Sequence, residues 1–242
     1  MKTDTNLCPD CGASTARDAR LCANCRVPLV LASKGAIALW RLGEVRPDVL
    51  AGVVHMIGKS LRLPVVVQPA LLDPRPSRRR DWRGASATAF LNQVDRRVSR
   101  GTIFSVGITE ENIVPGAAWN YLFGYAYLGM PSCVVSLHQM SSDDPKARKL
   151  VRRAATIAIH EIGHNCGLDH HGYDEGIACV MTADTELDCL ERLDEGTHRF
   201  CRGCQQVVDR HECPAMPESR HGTSLTTPEY PILPYGRNSV KV

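Results

Sequence analysis

The sequence predicts an α/β domain of the α+β kind, with a small cysteine-bearing unit ahead of it. From about Ser33 onward, strand-like and helix-like patterns alternate, the signature of helices layered on a sheet. A chain of 242 residues that is 43% hydrophobic can support one main core and a modest appendage. The appendage announces itself in the first 25 residues, where two CxxC pairs stand in otherwise polar sequence.

Cys8 and Cys11, then Cys22 and Cys25, are two knuckles ten residues apart. Each knuckle offers two thiolates from a tight turn, and four thiolates close a tetrahedral site with no room for substrate. This is the pattern of a zinc ribbon over residues 1–32 with a structural ion; a redox CxxC pair is the alternative, but no thioredoxin-like unit surrounds it.

In the main domain, residues 36–45 read as a strand. Pro47 then opens a helix through Leu61, and residues 63–70 form a second strand. Residues 73–84 are turn-rich and basic around Trp82, a solvated loop rather than a nucleic-acid patch. Ser86 is placed to cap a helix whose Ala89, Phe90, Val94 and Val98 share one face. The stretch from Gly101 to Ile113 reads as a buried strand, and residues 117–140 as two sheet segments around a break at Gly129-Met130-Pro131. Residues Val134 to His138 are candidates for a cleft-rim strand. A long helix follows, capped by Asp143 or Asp144 with Pro145 in its first turn, and runs to Gly167. Another helix is expected near residues 184–195, stopped by Gly196. The domain extends over residues 33–213, and the proline-rich tail of residues 214–242 reads as flexible or surface-wrapping.

Near the end of the long helix lies HExxHxxGxxH. His160 and His164, at i and i+4, share a helix face and can present ring nitrogens to one metal ion. Gly167 permits the turn that brings in His170 as third ligand. Glu161 is left beside the metal without ligating it, placed to move a proton during attack of a zinc-bound water. Three neutral imidazoles suit a hydrolytic zinc better than thiolates, which would damp its Lewis acidity. The bland alternative, three histidines bonded to neighbours at a buried helix end, leaves the intervening Glu161 without a purpose.

A net charge of +3 is too small to imply nucleic acid. No apolar run is long enough to cross a bilayer, and the opening residues lack the apolar core of an export signal, so the expectation is a cytoplasmic protein with no membrane partner. In that compartment, eleven cysteines argue for metal ligation over disulfides.

The motif, with Met181 eleven residues past His170, resembles the signature of the metzincin clan. Within that clan residues 35–213 resemble the archaemetzincin family, through Cys179 two positions before Met181 and the Cys201–Cys204 pair after it. The resemblance implies a metzincin-like zincin domain with a mixed, twisted sheet and an active-site helix. It implies that Met181 packs beneath the histidines as a support residue, and that small peptides or unfolded segments are the substrates. It also implies a second, structural zinc. The family has Cys directly after the third His, where this chain has His171, and the spacing to Cys179 is longer. His171, Cys179, Cys201 and Cys204 are therefore the expected ligands, with His198, Cys189 and Cys166 as substitutes. One catalytic and two structural zinc ions are expected in all. The ribbon is a departure from the family, and suggests a protein or nucleic-acid partner. The competing function is an adaptor working through that ribbon with a latent hydrolase site.

Overall fold

The computed structural model describes residues 5–7, 14–16 and 24, and then residues 35–210 except for 72–83, 99–100, 117–118, 141–143, 145–146, 173–175 and 183–192. Near the amino terminus, β1 (Thr5–Leu7) and β2 (Ser14–Ala16) pair antiparallel, Leu7 opposite Ser14. Cys8 and Cys11 fall between them in sequence, but all four expected ribbon ligands lie outside the described residues.

The main sheet has five strands in the order β4 (Val65–Val67), β3 (Ala36–Leu42), β6 (Thr102–Thr109), β9 (Ser132–Ser136) and β8 (Gly124–Ala126). The first four run parallel, and β8 is antiparallel to β9 at one edge. β6 is buried at all eight positions because helices cover both faces of the sheet, which explains its near-continuous apolar sequence. Two-residue strands β5 (Ala85–Ser86) and β7 (Ile113–Val114), which the sequence did not indicate as a pair, form a small parallel ladder beside it.

Helix α1 (Pro47–Leu61) begins at the expected proline and buries Val49, Leu50, Val53, Ile57 and Leu61, one apolar stripe at helical spacing. That stripe packs with helix α3 (Arg148–Asn165) on one face of the sheet, in a core that includes Ile37, Leu39, Phe104, Val106, Ile108 and Val135. Helix α2 (Ala87–Asp95) covers the other face, setting Phe90, Leu91 and Val94 against Leu42, Tyr125 and Val134. Ser86 caps α2 as its position predicts, its hydroxyl accepting from Ala89 N at 3.3 Å. The helix stops at Asp95, so Val98 lies beyond it and is only half-buried.

The carboxyl-terminal helices also differ from the sequence reading. α3 starts at Arg148, three residues beyond Pro145. Ala147 adopts a left-handed backbone at its cap, and Asp144 serves the helix end from outside by accepting from Arg148 N at 3.0 Å. A fourth helix, α4 (Arg202–Arg210), rises directly from the second CxxC pair, where only the cysteines had drawn attention. Residues 193–195 are helical; the rest of the helix expected before them lies outside the described residues. Among the described residues no helix is long and apolar enough to cross a membrane.

Candidate metal centre

α3 is apolar enough to be buried along its second half. Ala154, Ile157, Ala158 and Ile162 anchor it to the core and hold His160, Glu161 and His164 with essentially no exposure. After Asn165 the chain turns at Gly167, whose φ of +83° is costly for residues with a Cβ. The turn delivers His170, and the Nε2 atoms of His160, His164 and His170 form a triangle with every edge 3.1 Å.

Hydrogen bonds on the far sides of the rings fix their tautomers. A carbonyl oxygen can only accept, so His160 Nδ1–H donates to Val180 O at 2.7 Å and His164 Nδ1–H donates to Leu168 O at 2.8 Å. The Nε2 lone pairs of these two rings therefore face inward. Burial, reinforced by the neighbouring rings, holds His160 well below the ordinary imidazole range; burial pushes His164 down to about 4 and also lowers His170. Neutral rings with converging lone pairs are what a zinc ion needs, and a 3.1 Å triangle suits an ion at about 2.0–2.1 Å from each nitrogen. The donor set fits the metal.

Glu161 is fully buried, and neither carboxylate oxygen has a hydrogen-bond partner among the described residues. Burial raises its pKa well above the ordinary carboxylate range. It lies against Gly124 of β8: a Cβ there would collide with Glu161 Oε1 and stand 2.7 Å from Ile157 Cγ2. The strand beside the site is thus β8, the outermost in the sheet, and not Val134 to His138. β9 lies between β6 and β8 with both edges paired, and His138 beyond it is half-buried. Gly124 and the carbonyls of Val180 and Leu168 are site features that residue type alone did not disclose.

Met181 is fully buried beneath α3, where a Cβ on Gly163 would collide with its Sδ and stand 3.0 Å from Phe200 Cε1. Its carbonyl accepts from His171 N at 2.9 Å. His171 in turn opens the second cluster, in which one ligand atom each from His171, Cys179, Cys201 and Cys204 lies within 4.8 Å of all the others. His171 Nε2 is 3.1 Å from Cys204 Sγ and 3.7 Å from Cys201 Sγ. Cys179 Sγ accepts from Cys201 N at 3.2 Å and Met181 N at 3.5 Å. Amide donors of this kind favour a thiolate, and the Cys204 amide, with side-chain partners, brings the Cys201 thiol down to about 7. Burial pushes Cys204 up to about 12 and raises Cys179. Four soft or borderline donors, enough to complete a tetrahedron, suit a structural zinc. Of the possible substitutes, His198 and Cys166 are outside this cluster and Cys189 lies outside the described residues.

A parallel-dominated sheet, a histidine helix beneath its antiparallel edge strand and a methionine turn under the histidines make this a zincin-like fold of the metzincin kind. No family model matches the chain. Its sequence is similar to that of the archaemetzincin of Thermococcus kodakarensis, 27% identical over 137 residues, which cover 55% of this chain and 69% of the relative. It is also similar to those of Pyrococcus furiosus, 32% identical over 115 residues, 40% of this chain and 58% of the relative, and Halobacterium salinarum, 33% identical over 103 residues, 37% and 52%. With two of these three the chain thus spans little more than half the relative's length. The fold is similar to the crystal structure of the Archaeoglobus fulgidus archaemetzincin complexed with malonate, with a TM-score of 0.56 at 24% identity over 71% of this chain and 99% of that one. It also resembles a zinc-dependent peptidase of Methanocorpusculum labreanum, with a TM-score of 0.58 at 19% identity over 72% of this chain and all of the other. In sequence and in fold alike, the proteins this chain is similar to are archaemetzincins and a zinc-dependent peptidase.

Proposed function

We propose that the chain hydrolyses peptide bonds in small peptides or unfolded segments, with Glu161 as the proton-transferring group and His160, His164 and His170 as the ligands of the catalytic zinc. The observation that carries this is Glu161 itself, a buried carboxylate without a partner between the histidine helix and the edge strand. A structural metal site gains nothing from such a group, since burying an unpaired carboxyl costs stability. Zinc, when bound, supplies a Lewis acid that polarises water and the substrate carbonyl.

The protein's own residues do the rest. Val180 O and Leu168 O orient two of the histidines, so the site is organised before substrate arrives. Glu161 accepts a proton from the attacking water and returns it to the departing amine; burial raises its affinity for a proton, which suits a group that must take one up during attack. Among the described residues, no strand pairs with the outer edge of β8, so an extended peptide can add there and bring its carbonyl past Glu161. The same reading gives His171, Cys179, Cys201 and Cys204 a structural zinc, with Met181 as the support under the histidines. It gives Cys8, Cys11, Cys22 and Cys25 a third ion in the ribbon.

The test is cleavage of an unbiased peptide mixture read by mass spectrometry, with wild type, Glu161→Gln and chelator-treated protein compared. Products expected from wild type should vanish in both controls. Products that persist in Glu161→Gln at the wild-type rate would remove Glu161 from the mechanism, and a zinc-replete, folded wild type that cleaves nothing would overturn the peptidase reading.

A further inference from the structure

Where α1 packs beside α3, a cavity of about 410 Å³ opens between the end of α1 and the strap of residues 198–200. Its lining includes His55, Lys59, Arg62, His198 and Arg199, and no aspartate or glutamate. The first three are spaced i, i+4, i+7, which puts them on one face of α1 and its cap. Arg62 takes the left-handed C-cap position at φ 55°, a place where glycine is the usual occupant, so a guanidinium is kept there against a backbone cost. Lys59, Arg62 and Arg199 have no ion-pair partner among the described residues, and the buried Nδ1 of His198 has no hydrogen-bond partner there either.

Like charges gathered around a concavity repel one another, and the arrangement makes sense if an anion neutralises them. Ser60 and Gln205 add neutral donors, while Met56, Ile159 and Phe200 give the cavity an apolar wall. Its size falls within the range of small-molecule sites and leaves room for more than a bare oxyanion. We propose that this cavity binds a small phosphorylated organic molecule, its phosphate held by Lys59, Arg62 and Arg199 and its carbon portion against Met56, Ile159 and Phe200. Guanidinium forks and ammonium groups are the usual partners of such dianions.

The cavity wall is also tied to the histidine cluster. Arg199 O accepts from Val180 N at 2.8 Å, and the carbonyl of that same Val180 accepts from His160. A ligand on this wall therefore sits two hydrogen bonds from a candidate metal ligand, on a site distinct from the peptide cleft.

The test is titration calorimetry of the zinc-loaded full chain with phenyl phosphate in low-salt, phosphate-free buffer. Three proteins are compared: wild type, the double variant Lys59→Gln/Arg62→Gln, and a control, Arg96→Gln/Arg97→Gln, that neutralises two exposed arginines at the end of α2. Wild type and control should bind alike, and the double variant at least about tenfold more weakly. Binding that is equal in all three proteins, as it would be at the catalytic zinc, overturns the proposal. So does an absence of binding at millimolar ligand, or preference for an acidic peptide over phenyl phosphate at the same residues.

Discussion

Met181 offers a sharp test of how the site is held, because its side chain touches no substrate in the proposed mechanism. It is fully buried, and its sulfur lies so close to Gly163 that no Cβ fits between them. Truncation in Met181→Ala therefore opens a void that the neighbouring glycine has no side chain to fill. Lost transfer free energy and the residual cavity together cost about 3 kcal/mol, within the range for buried methionine-to-alanine changes. For a domain of this size that corresponds to a fall of roughly 6–12 °C in melting temperature. Met181→Leu keeps the volume and should cost less than about 1.5 kcal/mol. Differential scanning calorimetry with chelator isolates this packing loss. With excess zinc the Ala variant should lose further ground, since weakening the support of metal ligands lowers affinity by about 10- to 100-fold. Melting within about 2 °C of wild type in both conditions would refute the packing argument. Equal damage from Leu and Ala would show that the sulfur matters rather than the volume.

Gly124→Ala should drive a methyl group into Glu161 Oε1 and Ile157, costing about 1–3 kcal/mol and lowering peptide cleavage well beyond the loss of folded protein; parallel melting and activity assays separate the two. Arg153 grips Asp194 through two bonds of 2.8 and 2.7 Å, and this holds the Asp194 carboxyl below its usual range. A depressed folded-state pKa gives stability that is fully present above the unfolded value near 3.9 and is lost as pH falls through the folded one. Asp194→Asn should thus destabilise by about 2 kcal/mol at pH 7, with the gap to wild type closing as the pH falls below the unfolded value in denaturant titrations. Cys204→Ser should remove one zinc per chain by elemental analysis, whereas His171→Cys should retain it, thiolate and imidazole being interchangeable ligands.

Short-range patterns made much of this molecule legible. Pro47 marked the start of α1, Ser86 capped α2, and Gly167 turned the chain toward His170, because each of these acts through its own backbone or its nearest neighbours. The histidine triangle was readable for the same reason, all three members lying within eleven residues. Legibility fell where partners are distant in sequence. Val180 O orients His160 across twenty residues, and a carbonyl carries no residue-type signal. The rim strand was misplaced because β8 and β9 are both apolar, and only the pairing of β9 with β6 reveals which of them is internal. α4 escaped notice because its sequence is largely polar, with only Cys204 and Val208 buried.

Cys179, Val180 and Met181 are consecutive, yet they serve three different tasks: a sulfur for one cluster, a carbonyl for His160 of the other, and a buried wedge against Gly163 of α3. Loading of the two clusters is then a problem in linkage. Any free energy that an ion in the cysteine-bearing cluster would spend on ordering this tripeptide would be felt as tighter metal binding by the histidines, and thermodynamic reciprocity would require the histidines to return the same factor. If both clusters take an ion as proposed, a chelator that empties one would lower the other's apparent affinity, and occupancy of the cysteine-bearing cluster would set how firmly the histidines hold theirs.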